Sequence, residues 1–111
     1  MSEDMNTAPW EPISEAKLLE MVTSEASFLE APLRTFWDRV RIEPVKWSLP
    51  PWGDQGAGFW VVAIVEQRAL WYNDIEDGFN VSRFDAAGRI NDYCCNQDDL
   101  GLALRRLSVD I

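Results

Sequence analysis

Apolar residues Leu18, Met21, Val22, Ala26 and Leu29 recur at intervals of three and four, the spacing of one helix face. Ser14 offers a side-chain oxygen for an N-cap just before them, and Glu15 suits the positive end of a helix dipole, so a helix is predicted from there to about Glu30. Pro32 resets the chain. Leu33, Phe36, Trp37 and Val40 then repeat the stripe over a short second helix. Arg41-Ile42 and Val45-Lys46-Trp47 read as a short edge strand interrupted by Pro44, followed by an irregular loop over residues 49 to 58 that is rich in proline and glycine.

From Phe59 the period changes. Phe59 to Val65 is apolar on both faces, as a strand covered on both sides would be. Glu66-Gln67-Arg68 is predicted to turn the chain into a strand over Ala69 to Ile75. Glu76-Asp77-Gly78 and Ala86-Ala87-Gly88 then read as three-residue hairpin loops with glycine in the left-handed position. That choice sets a register: Ile75 opposite Phe79, Asn73 opposite Val81, Trp71 opposite Arg83, then Asp85 opposite Arg89, Phe84 opposite Ile90, Val81 opposite Tyr93 and Phe79 opposite Cys95. It sorts Trp71, Ile75, Phe79, Val81, Tyr93 and Cys95 to the core, with Asn73, Arg83 and Asn91 among them. Leu70, Tyr72, Asp74, Asn80, Ser82, Phe84, Ile90, Asp92 and Cys94 go to an opposite face that is polar through its middle. A final helix is predicted with Asn96 as N-cap, Asp98 and Asp99 in its first turn, Arg105 and Arg106 in its last, and Leu100, Ala103, Leu104 and Leu107 as its buried stripe.

The expected architecture is therefore α+β: two N-terminal helices, a four-stranded antiparallel meander over residues 59–95, and a C-terminal helix packed on the sheet. Residues 1–12, with Trp10 among prolines and small polar residues, are expected to form an extended arm, and 13–111 one domain, as a length of 111 residues suggests.

Charge narrows the partners. The chain carries net −9, with the first thirty residues alone at −6, which repels phosphate backbones and anionic lipid surfaces and attracts a basic protein. The longest apolar run, Phe59 to Val65, is far below the roughly 20 residues of a membrane span. An acidic start with no hydrophobic segment after it predicts no secretory or transit peptide, and the cytoplasm is the expected compartment. Cys94 and Cys95 are the only cysteines; as strand neighbours they would face opposite ways and read as small buried hydrophobes, with a vicinal redox disulfide as the sharper alternative.

No histidine is present, which removes the commonest general base, the usual Ser and Cys nucleophile partners and the commonest zinc ligand. Nucleotide-binding glycine loops and nucleophile elbows are absent from the sequence, and no cofactor is indicated. Asp74, Glu76 and Asp77 surround a turn rich in oxygen ligands, but the position six residues after Gly78 is Phe84, where a calcium loop would place glutamate. Asp74 and Asp92 could form a carboxylate pair for acid–base work on the polar face. Of the six tryptophans, Trp37, Trp60 and Trp71 read as core, whereas Trp47 and Trp52 flank the proline-rich loop and read as exposed interface anchors.

The favoured expectation is a non-catalytic binding protein for a basic protein partner, with Trp47, Trp52, Tyr72, Asp74, Ser82 and Asp92 as contact residues and no catalytic residue. In size and charge, the chain resembles the acidic immunity proteins that neutralise basic toxin enzymes in bacteria; the resemblance carries no residues. Two alternatives stand beside it. One is a small enzyme or divalent-cation protein using the carboxylates of the polar face, and the other is a homodimer through the rim formed by Leu70, Phe84 and Ile90.

Overall fold

The computed structural model describes residues 11–52 and 57–109. Most of the expected N-terminal arm, Trp10 included, lies outside them. The elements run α1 (Glu15–Ala26), α2 (Ala31–Val40), β1 (Arg41–Trp47), β2 (Phe59–Val65), β3 (Arg68–Asn73), β4 (Gly78–Arg83) and α3 (Leu100–Ser108). The strands form one antiparallel sheet in sequence order, with the helices packed against it. An α+β fold with two N-terminal helices, a four-stranded meander and a C-terminal helix is what the hydrophobic periods imply.

Several helix ends are met by side chains, some adjacent and some distant in the chain. Ser14 caps α1 by accepting the Lys17 N–H, and the helix stops at Ala26, four residues short of the expected end; Arg34 Nη1 donates to the Ala26 carbonyl at 3.1 Å. Glu30 then stands at the start of α2 as its N-cap position, with Pro32 in the first turn where a missing N–H costs nothing. The cap of α3 is Asp99, not Asn96, so this helix starts three residues later than its acidic run suggested. Glu25 from α1 also accepts the Leu100 N–H at 2.6 Å, placing a carboxylate at the positive end of α3. The stripe Leu100, Ala103, Leu104 and Leu107 is buried as its period implied.

Both faces of the sheet are largely buried along β2, β3 and β4. On the helix side Val62, Ala63, Leu70, Tyr72 and Phe79 pack with Leu18, Val22, Trp37 and the α3 stripe. On the other side Phe59, Val61, Ala69 and Trp71 pack with Trp47 at the end of β1 and with Leu49, Phe84 and Ile90, supplied by the loops that flank the sheet.

Two features of the meander differ from expectation, and their causes are local. First, the β3–β4 connection has four residues, Asp74 to Asp77, and the register is Asn73 opposite Gly78, Tyr72 opposite Phe79 and Trp71 opposite Asn80. Asn73 Oδ1 accepts the N–H groups of Ile75 and Glu76 at 3.0 and 3.2 Å, which starts the turn at Asn73, and Asp77 takes the left-handed conformation at φ 59°. Gly78 is required for a different reason: a Cβ there would lie 2.3 Å from Gln97 Cα and 2.4 Å from the Asn96 carbonyl oxygen. The shift of three positions exchanges the faces of β4 relative to β3, so the Ile75–Phe79, Asn73–Val81 and Trp71–Arg83 pairs do not form.

Second, residues 89–95 are not a strand. The Gly88 bend forms as expected at φ 99°, and the Asn91 N–H reaches the Arg83 carbonyl at 3.0 Å, but the pairs Val81–Tyr93 and Phe79–Cys95 are absent. The segment instead passes under the sheet and returns to the β4 edge at Asp98, whose carbonyl accepts the Phe79 N–H at 2.9 Å. Side chains take over from the ladder. Ser82 Oγ donates to the Asp92 carbonyl at 2.8 Å, Asn73 Nδ2 donates to that of Cys94 at 2.9 Å, and Asn80 both donates to the Asn96 carbonyl at 3.0 Å and accepts the Asn96 N–H at 2.8 Å. The fourth strand of the sheet is therefore β1, the expected edge strand, with a register irregularity between Arg41 and Val45 that brackets Pro44.

Candidate functional site

The residues expected to share one polar face are dispersed by the register. Tyr72 and Ser82 are buried on opposite sides of the sheet, Tyr72 among the helix-side core and Ser82 between the Trp71 indole and the Asp92 carbonyl. Asp92 is exposed beneath the second face, whereas Asp74 turns toward the segment before α1. The Asp74–Asp92 carboxylate pair is thus not assembled. Among the described residues no three acidic or cysteine side chains converge on a possible metal position, so Asp74, Glu76 and Asp77 do not form one. Leu70, Phe84 and Ile90 are all buried, so they offer no exposed rim for a homodimer.

The tryptophans divide differently from expectation. Trp47 is buried, its ring set edge-on to Phe84 at 4.7 Å between centroids. Trp52 is 43% exposed and stacks on Tyr93 at 4.4 Å, so part of its area is already covered from within. Trp37 and Trp71 are core, and Trp60 is half-buried. Both cysteines are free; Cys94 is half-buried near Ser82 Oγ, and Cys95 is exposed, contrary to its reading as a buried hydrophobe.

Asp74 has a structural task. Its Oδ2 accepts the Ile13 N–H at 2.6 Å, and Trp60 Nε1 donates to the Ile13 carbonyl at 3.0 Å, so one residue before α1 is held through both its backbone groups. Burial pushes the Asp74 carboxyl above its ordinary value, opposed by the Ile13 hydrogen bond and the nearby Lys46 charge. Its Oδ1 is buried without a hydrogen bond among the described residues. Tyr72 is pushed up to about 12, first by burial, then by the charge of Asp77 and its hydrogen bond at 3.4 Å, with Asp74 and Glu25 adding to it. Its proton is therefore retained throughout the physiological range.

The feature that sequence reading missed is Phe28. It sits just after α1 and is 83% exposed, the most exposed large apolar side chain among the described residues. Leu29, Leu33 and the 44%-exposed Leu102 line shallow depressions of about 250 and 390 Å³ beside it, with Glu25, Glu30 and Asp99 around them and Arg105 at one end. Two signals could have shown it. Phe28 lies one residue off the α1 stripe, which already ends on Leu29, and Leu102 lies one residue off the stripe Leu100, Ala103, Leu104, Leu107. A large apolar side chain that the helical period points away from the core needs another use.

Compared with known protein families, with curated proteins and with solved structures, the chain has no match.

Proposed function

We propose that this chain is a non-catalytic, acidic protein-binding module whose anchor is Phe28, and that its partner is a basic protein. The observation that supports this most is the exposure of Phe28 beside an apolar depression with three carboxylates at its margin. Aromatic side chains concentrate in the centres of protein interfaces, and truncating a central anchor costs ~2 kcal/mol or more of binding energy. The surrounding acids, within a chain of net −9, favour a cationic surface and speed its encounter. An inhibitor of the immunity type, acting on a basic enzyme, is one form of this reading, supported by size and charge.

The partner surface therefore belongs at the corner of α1, α2 and α3. Trp52 and Asp92 lie elsewhere, on the loop side of the sheet, and the aromatic stack beneath Trp52 gives that residue a structural use. The enzymatic alternative rested on an Asp74–Asp92 pair, and Asp74 is instead engaged with Ile13. Co-purification from the cells that make the chain tests the proposal: a partner should remain bound at low salt and dissociate as salt rises. A protein recovered alone at every ionic strength contradicts it.

A further inference from the structure

The side-chain replacement of the β4 ladder leaves a gap. Because residues 92–96 leave the sheet edge and pass beneath it, the outer edge of β4 has backbone-to-backbone hydrogen bonds at Phe79 and Arg83 but none between them, where the Cys94 thiol is a weak donor to the Val81 carbonyl at 3.9 Å. The Phe79 N–H and the Arg83 carbonyl both point outward, so the alternation of an antiparallel strand turns the Val81 N–H outward as well. It faces a depression of about 400 Å³ lined by Arg68, Val81, Arg83, Asn96, Arg106 and Val109.

Three of the ten basic residues of this acidic chain meet there. Arg68 and Arg83 are directly opposite each other across β3 and β4, on one face of the sheet, and like charges so placed repel. Arg68 donates to the last carbonyls of α3, at 3.3 Å to Arg106 and 2.7 Å to Leu107, which fixes its guanidinium at the rim. Arg106 uses Nε on Asp98 at 2.6 Å, and its terminal nitrogens make no ion pair or hydrogen bond among the described residues. Arg83 is exposed and forms no ion pair among them either. Among the described residues one of these three guanidinium groups, that of Arg106, is paired with a carboxylate, and the outward N–H and C=O of Val81 lie between them.

We propose that this edge of β4 is a binding site for a small anion of the phosphate class. Guanidinium forks and a backbone N–H are the donors that oxyanions accept, with two oxygens able to engage one arginine side by side. A dianion would relieve the Arg68–Arg83 repulsion, and the volume suits a small phosphorylated molecule. The site is separate from the Phe28 surface, and neither proposal needs the other.

Titration of the full chain with inorganic phosphate, followed by amide and arginine side-chain resonances at constant ionic strength, is the direct test. Saturable shifts are expected at the Val81 amide and at Arg68, Arg83 and Arg106, with sodium chloride giving none. Arg83→Gln should weaken phosphate binding at least fivefold without lowering the melting temperature, whereas Arg89→Gln, on the exposed bend, should leave binding unchanged. Shifts that rise linearly, that chloride reproduces, or that both substitutions weaken equally would overturn the site and leave only general surface electrostatics.

Discussion

Asp74 holds Ile13: its carboxylate accepts the Ile13 N–H at 2.6 Å while Trp60 Nε1 donates to the carbonyl of the same residue at 3.0 Å. A turn at one end of the sheet thereby fixes the chain segment entering α1, sixty-one residues earlier in sequence. Such a contact is invisible to periodicity, which sees only neighbours. It also explains why an acid that looked available for binding or catalysis is already engaged.

This engagement has a pH signature. Burial raises the Asp74 pKa above the ordinary 3.8, so the folded state holds the proton more tightly than the unfolded one. The stability contributed by this group is therefore complete below pH 3.8 and is lost as pH rises through the elevated folded value. Asp74→Asn keeps an oxygen for Ile13 and removes the titration. Chemical denaturation from pH 3.5 to 7 should show the difference between variant and native protein moving in favour of the variant as pH rises. A difference that is flat, or moves the other way, contradicts this account. Asp74→Ala, lacking the acceptor, should lose ~1 kcal/mol at pH 5.

The polar side chains under β4 should matter more than surface polar residues do. Asn80→Ala removes both bonds to the Asn96 backbone and leaves two backbone groups to find other partners. A loss of ~2–3 kcal/mol is expected, from two hydrogen bonds and incomplete resolvation. Faster hydrogen exchange at the Asn96 amide should accompany it. Exchange that stays slow would show that the segment is held by other means.

Gly78 is a steric requirement. Its φ is not in the left-handed range, so the expected defect of Gly78→Ala comes from the Gln97 and Asn96 backbone against the new methyl group. Displacing that backbone should cost ~1–3 kcal/mol. Gly88→Ala has open space around it, and its smaller cost should come from the φ of 99° alone. Thermal unfolding of the two variants side by side checks the order; a larger loss at Gly88 would reverse the explanation.

Much of the fold was legible because burial imposes a period. Leu18, Val22 and Ala26 in α1, the α3 stripe, and the doubly apolar β2 all carry their burial in their spacing. The β3–β4 register was not legible, because Asn80 and Ser82 alternate with apolar residues in the way solvent-facing polar positions do. Their partners are the backbone groups of residues 92–96, brought under the sheet by a segment that looked like another strand. The same misassignment placed Tyr72, Asp74, Ser82 and Asp92 on one surface. Phe28 was legible in principle, since the helical stripe already excluded it from the core.

Phe28→Ala tests the central claim most directly. With 83% of the side chain in solvent, truncation should change the stability of the free protein by less than ~0.5 kcal/mol. Isothermal titration against the co-purified basic partner should show affinity falling at least tenfold, while Trp52→Ala, on the other side of the sheet, leaves it within twofold. Full affinity in the Phe28 variant, or a loss confined to the Trp52 variant, would contradict the account.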